Sequence, residues 1–210
     1  MRVVWHGHAC FEVNDGVTIV TDPHDGEQVG LAPPSVEADI VLISHDHYDH
    51  NCGHVVKGDP KIINRSLDES VMGTHMRSFE TYHDEVKGQK RGRNRIYLFE
   101  MEGIRFLHLG DLGHLLADDL VSTIGRVDVL FVPVGSVFTI GGEAGWRTVN
   151  QIKPRVAVPM HYWVKGLSLS IRPLEDFLDV VDVPITKVGN EVTFEKEDLP
   201  ESTEVWVFNL

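Results

Sequence analysis

The 210-residue sequence predicts a layered α+β domain, in which sheets carry a smaller number of helices. Three observations lead there. Strand-like runs come first, strands alternating with helix-period segments follow, and five apolar runs each end on an aspartate or histidine. No repeat at a solenoid period, low-complexity tract or linker divides residues 1–210, so a single domain is expected.

The elements follow in order. Arg2–Val13 and Val17–Thr21 read as strands joined through "NDG", a strong hairpin signal. "DIVLIS" (Asp39–Ser44) is short and mostly apolar, as buried strands are. "KIIN" adds a further strand, while Arg65–Arg77 has no clear period. "SFETYH" and "RIYLFEM" flank a basic, glycine-containing turn, and "EG" turns the chain into "IRFLHLGD". Helical spacing marks Leu115–Ile124, Glu143–Ile152 and Pro173–Val181, the last with proline in its first turn. Asp128–Val134 and Arg155–His161 read as strands between them, and the tail Thr186–Phe208 as hairpin-like strands.

The formal net charge of -13 argues against binding to long nucleic acid, which relies on Lys and Arg at phosphates. Five of the 19 basic residues sit in "KGQKRGRNR" (Lys87–Arg95), read as a solvated hairpin tip. The two cysteines, Cys10 and Cys52, form no C-x-x-C pair and imply no disulfide framework. With neither a signal-peptide core nor an apolar stretch of ~18 residues, a cytoplasmic protein is expected.

"SHDHYDHN" (Ser44–Asn51) sets the chemistry. His45 and His47 are spaced to chelate one cation, and Asp49 and His50 to turn toward a second. Neutral imidazole and carboxylate suit Zn²⁺, Mn²⁺ or Fe²⁺, and two such ions can share a carboxylate and a hydroxide. The cluster needs distant partners, and His83, Asp111 and His161 are the natural suppliers. Asp22, His45, Asp111 and His161 each end an apolar strand candidate, and His83 ends a fifth, so their strands can converge on one edge. His6 and His8, on one face of the first strand, read as core histidines or supports for the ligands, and His108 and His114 flank Asp111. His24, His54 and His75 read as surface histidines, and Cys52 as a small buried side chain. Tyr48, Tyr162 and Trp163 are candidates for a substrate pocket or for core packing. "GSVFTIGG" (Gly135–Gly142) is a turn able to present backbone amides to an anion.

"HDHYDH" followed by His83, Asp111 and His161 resembles the metallo-β-lactamase superfamily, and Asp22 matches the aspartate of its first motif. "GHACFEV", "ISHDHYDHN", "HLGD" and "PVGSVFTIGG" are most similar to its branch of small metal-dependent hydrolases and ascorbate-6-phosphate lactonases. "SHDHYDH" also resembles N-acylphosphatidylethanolamine phospholipase D. The resemblance implies a four-layer αββα sandwich with a dinuclear site on one edge of the sheets. It places His45, His47 and His83 on metal one, Asp49, His50 and His161 on metal two, Asp111 between them, and Asp22 behind the cluster loop. It also implies a hydrolase of a small, in some cases anionic, ester, lactone or phosphodiester, acting through a bridging hydroxide with Asp49 and Asp111 at the reaction centre. Zn²⁺ is the first expectation for both ions, with Mn²⁺ and Fe²⁺ as alternatives. The competing readings are a non-catalytic metal-binding or sensing protein and a diiron redox protein.

Overall fold

A computed structural model describes residues 1–210. Its strands are β1 (Arg2–Trp5), β2 (Phe11–Asp15), β3 (Val17–Thr21), β4 (Ile40–Leu42), β5 (Lys61–Ile63), β6 (Asp68–Val71) and β7 (Thr74–Tyr82). They continue as β8 (Arg93–Met101), β9 (Ile104–His108), β10 (Val129–Pro133), β11 (Val156–Met160), β12 (Ile185–Gly189), β13 (Glu191–Thr193) and β14 (Glu204–Phe208). Three helices accompany them: α1 (Asp118–Ile124), α2 (Gly142–Ile152) and α3 (Glu175–Leu178). None is long and apolar enough to cross a membrane.

The strands form two mixed sheets. One runs β13-β1-β2-β3-β4-β5, the other β12-β14-β11-β10-β9-β8-β7-β6. Phe11, Phe106, Phe131 and Phe208 are buried within one core, with ring centroids of Phe11 and Phe131 4.4 Å apart across the sheets. This is an α+β sandwich. Gly145 of α2 comes close to Val134 just beyond β10, so α2 covers the larger sheet from outside. A second, small cluster of Cys10, Val20, Val36, Val41 and Val56 lies apart from that core. The layer over the smaller sheet is loop with one 3₁₀ turn at Gly53–Val55.

Most sequence readings survive within a few residues, but four boundaries change. The first run is two strands, because Gly7 and His8 adopt positive φ (93° and 55°) and reverse the chain between β1 and β2. The periodless stretch contains β6 and the start of β7, whose outward residues are polar. Helical spacing at Leu115 and Pro173 overstates α1 and α3, which are shorter. The tail is no simple hairpin: β12 pairs in parallel with β14, while β13 crosses to pair with β1 in the other sheet. Parallel pairing orients β9, β10, β11 and β14 alike, and the antiparallel β8 returns β7 to the same direction. The ends of β7, β9 and β11 therefore share one edge.

Candidate metal centre

Five strand ends deliver the cluster. Asp22 directly follows β3, His83 follows β7 and His161 follows β11, while His45 and Asp111 lie three residues beyond β4 and β9. Asp22 and His161 take positive φ (40° and 54°) as the chain leaves each strand. Two glycines allow the close approaches this requires. A Cβ on Gly135 would stand 1.9 Å from the His161 carbonyl oxygen. At Gly110, φ is +52° and a Cβ would meet Asn94 Oδ1 and Ser44 Cβ at 2.5 Å.

The structure brings all seven sequence-predicted residues together. His45, His47 and His83 form one group whose donor atoms lie within 4.8 Å of one another, and Asp49, His50 and His161 form another together with His8. Asp111 stands between: its Oδ2 is 3.1 Å from His83 Nε2 and 3.2 Å from His161 Nε2, and its Oδ1 is 3.3 Å from His50 Nε2. Every one of these side chains is buried except His47, which is half-exposed.

The donors fit metal ions. Ser44 Oγ donates to Asp22 Oδ2, so His45 Nδ1–H donates to Ser44 Oγ (2.9 Å) and Nε2 keeps a lone pair directed at the cluster. His50 Nδ1–H donates to the same Asp22 oxygen (3.0 Å), which points its Nε2 inward too. His50 Nε2, His161 Nε2 and Asp111 Oδ1 are buried without a hydrogen-bond partner. Buried polar atoms are rarely left so, and a shared cation satisfies all three at once.

Electrostatics agree. Burial, with neighbouring histidines, lowers His45 to about 3 and also lowers His47, which favours the neutral imidazole that a cation needs. Burial opposes charge on His50 as well, yet Asp111 and Asp49 raise its pKa well above the ordinary value. Asp111 and Asp49 are in turn lowered despite burial, mainly by His161 and His50 at Asp111 and by His50 and His8 at Asp49. The pocket calls for positive charge.

Residues around the cluster hold it in place, and several were not legible in sequence. His8 is buried and its Nε2–H donates to Asp49 Oδ2 at 3.1 Å. Of the two roles the sequence left open for it, support of the ligands is the one the positive-φ turn at Gly7–His8 allows. Asn94, within the basic run, donates to Thr81 Oγ1 (2.8 Å) and the Leu109 carbonyl (2.9 Å) and accepts from the Asp111 amide (3.0 Å). No sequence signal marks it. His108 supports Gly110, accepting its amide proton at Nδ1, and donates to the Ala9 carbonyl. His114 accepts from the Tyr82 amide and so braces the strand end before His83 rather than Asp111. His6 pairs with Glu12 at 3.1 Å, away from the cluster. His24 is buried rather than on the surface, donating to the His6 carbonyl, while His54 and His75 are exposed. Cys52 donates to the Tyr48 carbonyl and is no ligand. Tyr162 belongs to the core, packed on Trp5 with its hydroxyl donating to the Phe208 carbonyl, whereas Tyr48 and Trp163 are exposed.

The basic run is not a free tip. Arg91, Arg93 and Arg95 line a cleft whose other wall includes His45 and His47. Asp84, immediately after His83, organises the turn: its carboxylate accepts from the amides of Val86, Gly88, Lys90 and Arg91 at 2.8–2.9 Å. Desolvation alone would raise its pKa, but those four amides hold it down at about 2.

Such a sandwich, with a histidine and carboxylate cluster at the strand ends, defines a superfamily, and comparison settles membership: residues 2–161 match the family described as the beta-lactamase superfamily domain, to which this chain belongs. It is similar to a crystal structure from Thermotoga maritima, provisionally described as a Zn-dependent hydrolase of the metallo-β-lactamase superfamily. The two are 37% identical, each is covered over 99% of its length, and the TM-score is 0.82. It is also similar to a UPF0173 protein of Pyrococcus furiosus, at 32% identity over 77% of this chain and 83% of that one. A UPF0173 metal-dependent hydrolase of Archaeoglobus fulgidus is 26% identical over 93% of this chain and all of the relative. The fold is thus the metallo-β-lactamase α+β sandwich, with loop and one 3₁₀ turn in place of a helical layer over the smaller sheet.

Proposed function

We propose that this chain is a single-domain, metal-dependent hydrolase of a small ester, lactone or phosphodiester. The observation that carries the reading is the set of orphaned, buried ring nitrogens around Asp111. His45, His47 and His83 would hold one divalent ion and Asp49, His50 and His161 a second, with Asp111 between them. Zn²⁺ suits the donor set first, Mn²⁺ and Fe²⁺ next. Such ions supply Lewis acidity, acidify water and stabilise negative charge developing on the substrate. The names of the Thermotoga and Archaeoglobus relatives support hydrolysis.

The chain's own residues do the rest. Asp49 is steadied by His8 and kept ionised by its histidine neighbours, so it would orient the attacking water as a hydrogen-bond acceptor. Asp22 fixes the tautomers of His45 and His50, and Asn94 fixes the backbone from which Asp111 projects. Burial of all but His47 limits solvent access from the inner side of the cluster.

Zinc- or manganese-reconstituted protein is expected to hydrolyse bis(p-nitrophenyl) phosphate or p-nitrophenyl acetate, the first reporting phosphodiester reach and the second carbonyl chemistry. Asp111→Ala is expected to lose more activity than the roughly 10–100-fold typical of a supporting residue, together with metal. Full turnover by Asp111→Ala, or none by protein shown to hold two ions, removes the assignment.

A further inference from the structure

A cleft of about 450 Å³ opens beside the histidine cluster, with His45 and His47 on one wall and Arg91, Arg93 and Arg95 on another. The three guanidiniums differ in what they already hold. Arg93 is exposed and lies 3.6 Å from Glu80, which it neutralises within the same cleft. Arg95 is half-buried, forms no ion pair, and its Nε is shielded from solvent without a partner. A polar N–H shielded from solvent is costly in a folded protein unless something pairs with it. Arg91 stands over the Phe138 ring at 5.5 Å, also without an ion pair. Stacking of this kind uses the face of the guanidinium and leaves its edge donors free. Asp84 holds the Arg91 backbone from below, so presenting this donor requires little further ordering.

We infer that this cleft binds an oxyanion carried by the substrate, a carboxylate or phosphate group clasped by Arg91 and Arg95 while the bond to be cleaved lies at the histidine cluster. The inference rests on the hydrolase reading and narrows it to anionic substrates. A planar guanidinium matches two oxygens of either group, and two guanidiniums match a doubly charged one best.

Calorimetric titration of the zinc-loaded protein with methylphosphonate, and separately with acetate, reads binding without turnover. Arg91→Gln and Arg95→Gln are each expected to weaken binding about tenfold, and the double variant further. Arg→Lys at either position keeps the charge without the fork and is expected to fall between. Arg147→Gln, on the exposed side of α2, serves as the unchanged control. Tighter methylphosphonate than acetate assigns a phosphate-type group, and the reverse a carboxylate. Equal affinity in the wild type and a folded, metal-replete double variant overturns the cleft assignment, even if neutral esters are hydrolysed. Arginine-dependent binding without metal-dependent hydrolysis keeps the cleft and removes the hydrolase reading instead.

Discussion

The two halves of the histidine cluster are built differently. Asp49, His50 and His161 are buried, backed by His8 and Asp22, and enclosed by a backbone approach at Gly135 that leaves no room for a side chain. His45, His47 and His83 share Asp111 with them, but His47 is half-exposed and the pair His45–His47 faces the arginine cleft. One half is wholly buried, while the other reaches the surface through His47 and lines the arginine cleft. Similar side chains therefore carry different obligations: those of the inner half, with His45 and His83, also maintain packing, while His47 alone meets solvent.

The strongest way to break this contrast is Gly135→Ala. Its Cβ would overlap the His161 carbonyl, so the inner half should lose both metal and stability, with a loss of several kcal/mol. Thermal denaturation with metal analysis checks it; a stable variant holding two ions would contradict the packing account. Next in size is metal removal. Chelation is expected to lower the melting temperature by about 5–10 °C if loading exceeds 100-fold over Kd. His47→Ala should abolish part of that shift while leaving the chelated protein's own midpoint near the wild type. His8→Ala should reduce activity roughly 10–100-fold by freeing Asp49, without changing metal stoichiometry.

The smallest effect concerns the turn that carries His8. Its neighbour His6 is tied to Glu12, which also accepts from Arg2 at 2.8 Å. The His6 hydrogen bond, chiefly, lowers the Glu12 pKa, with burial opposing and Arg2 assisting. A depressed carboxyl contributes stability that is fully present above its ordinary pKa of about 4.5 and is lost as pH falls through the folded value. Glu12→Gln should therefore flatten the acid limb of the stability profile by a small amount and leave neutral-pH turnover nearly unchanged. A large loss of turnover at pH 7 would show that the turn, rather than packing, positions His8.

The difference between the halves also explains what could be read from sequence. His45, His47, Asp49 and His50 are local in the chain, and Asp22, Asp111 and His161 end apolar runs whose period is visible, so a layered domain with these residues converging at strand ends was legible from pattern, while the αββα sandwich came from the family resemblance. His8 was left between a core and a supporting role because two left-handed residues interrupt an apparently continuous strand, a conformation that residue type alone does not announce. Asn94 and the arginines escaped for a different reason. Arg91 is placed by the winding of its loop around the Asp84 carboxylate, which looks in sequence like an ordinary charged turn, and Asn94 and Arg95 by the pairing of β8 with β7. Likewise β13 leaves its neighbours for the other sheet, where β1 offers an open edge that no local periodicity reveals.

That winding around Asp84 has an evolutionary consequence. Because the aspartate engages four main-chain amides of its own loop, those amides cannot read a ligand, and the recognition proposed for this rim rests on side chains. Side chains on a preformed turn can be exchanged one at a time without refolding it. The rim is thus a place where descendants of this sequence can trade one clientele of molecules for another by single substitutions, while the inherited chemistry beneath stays the same.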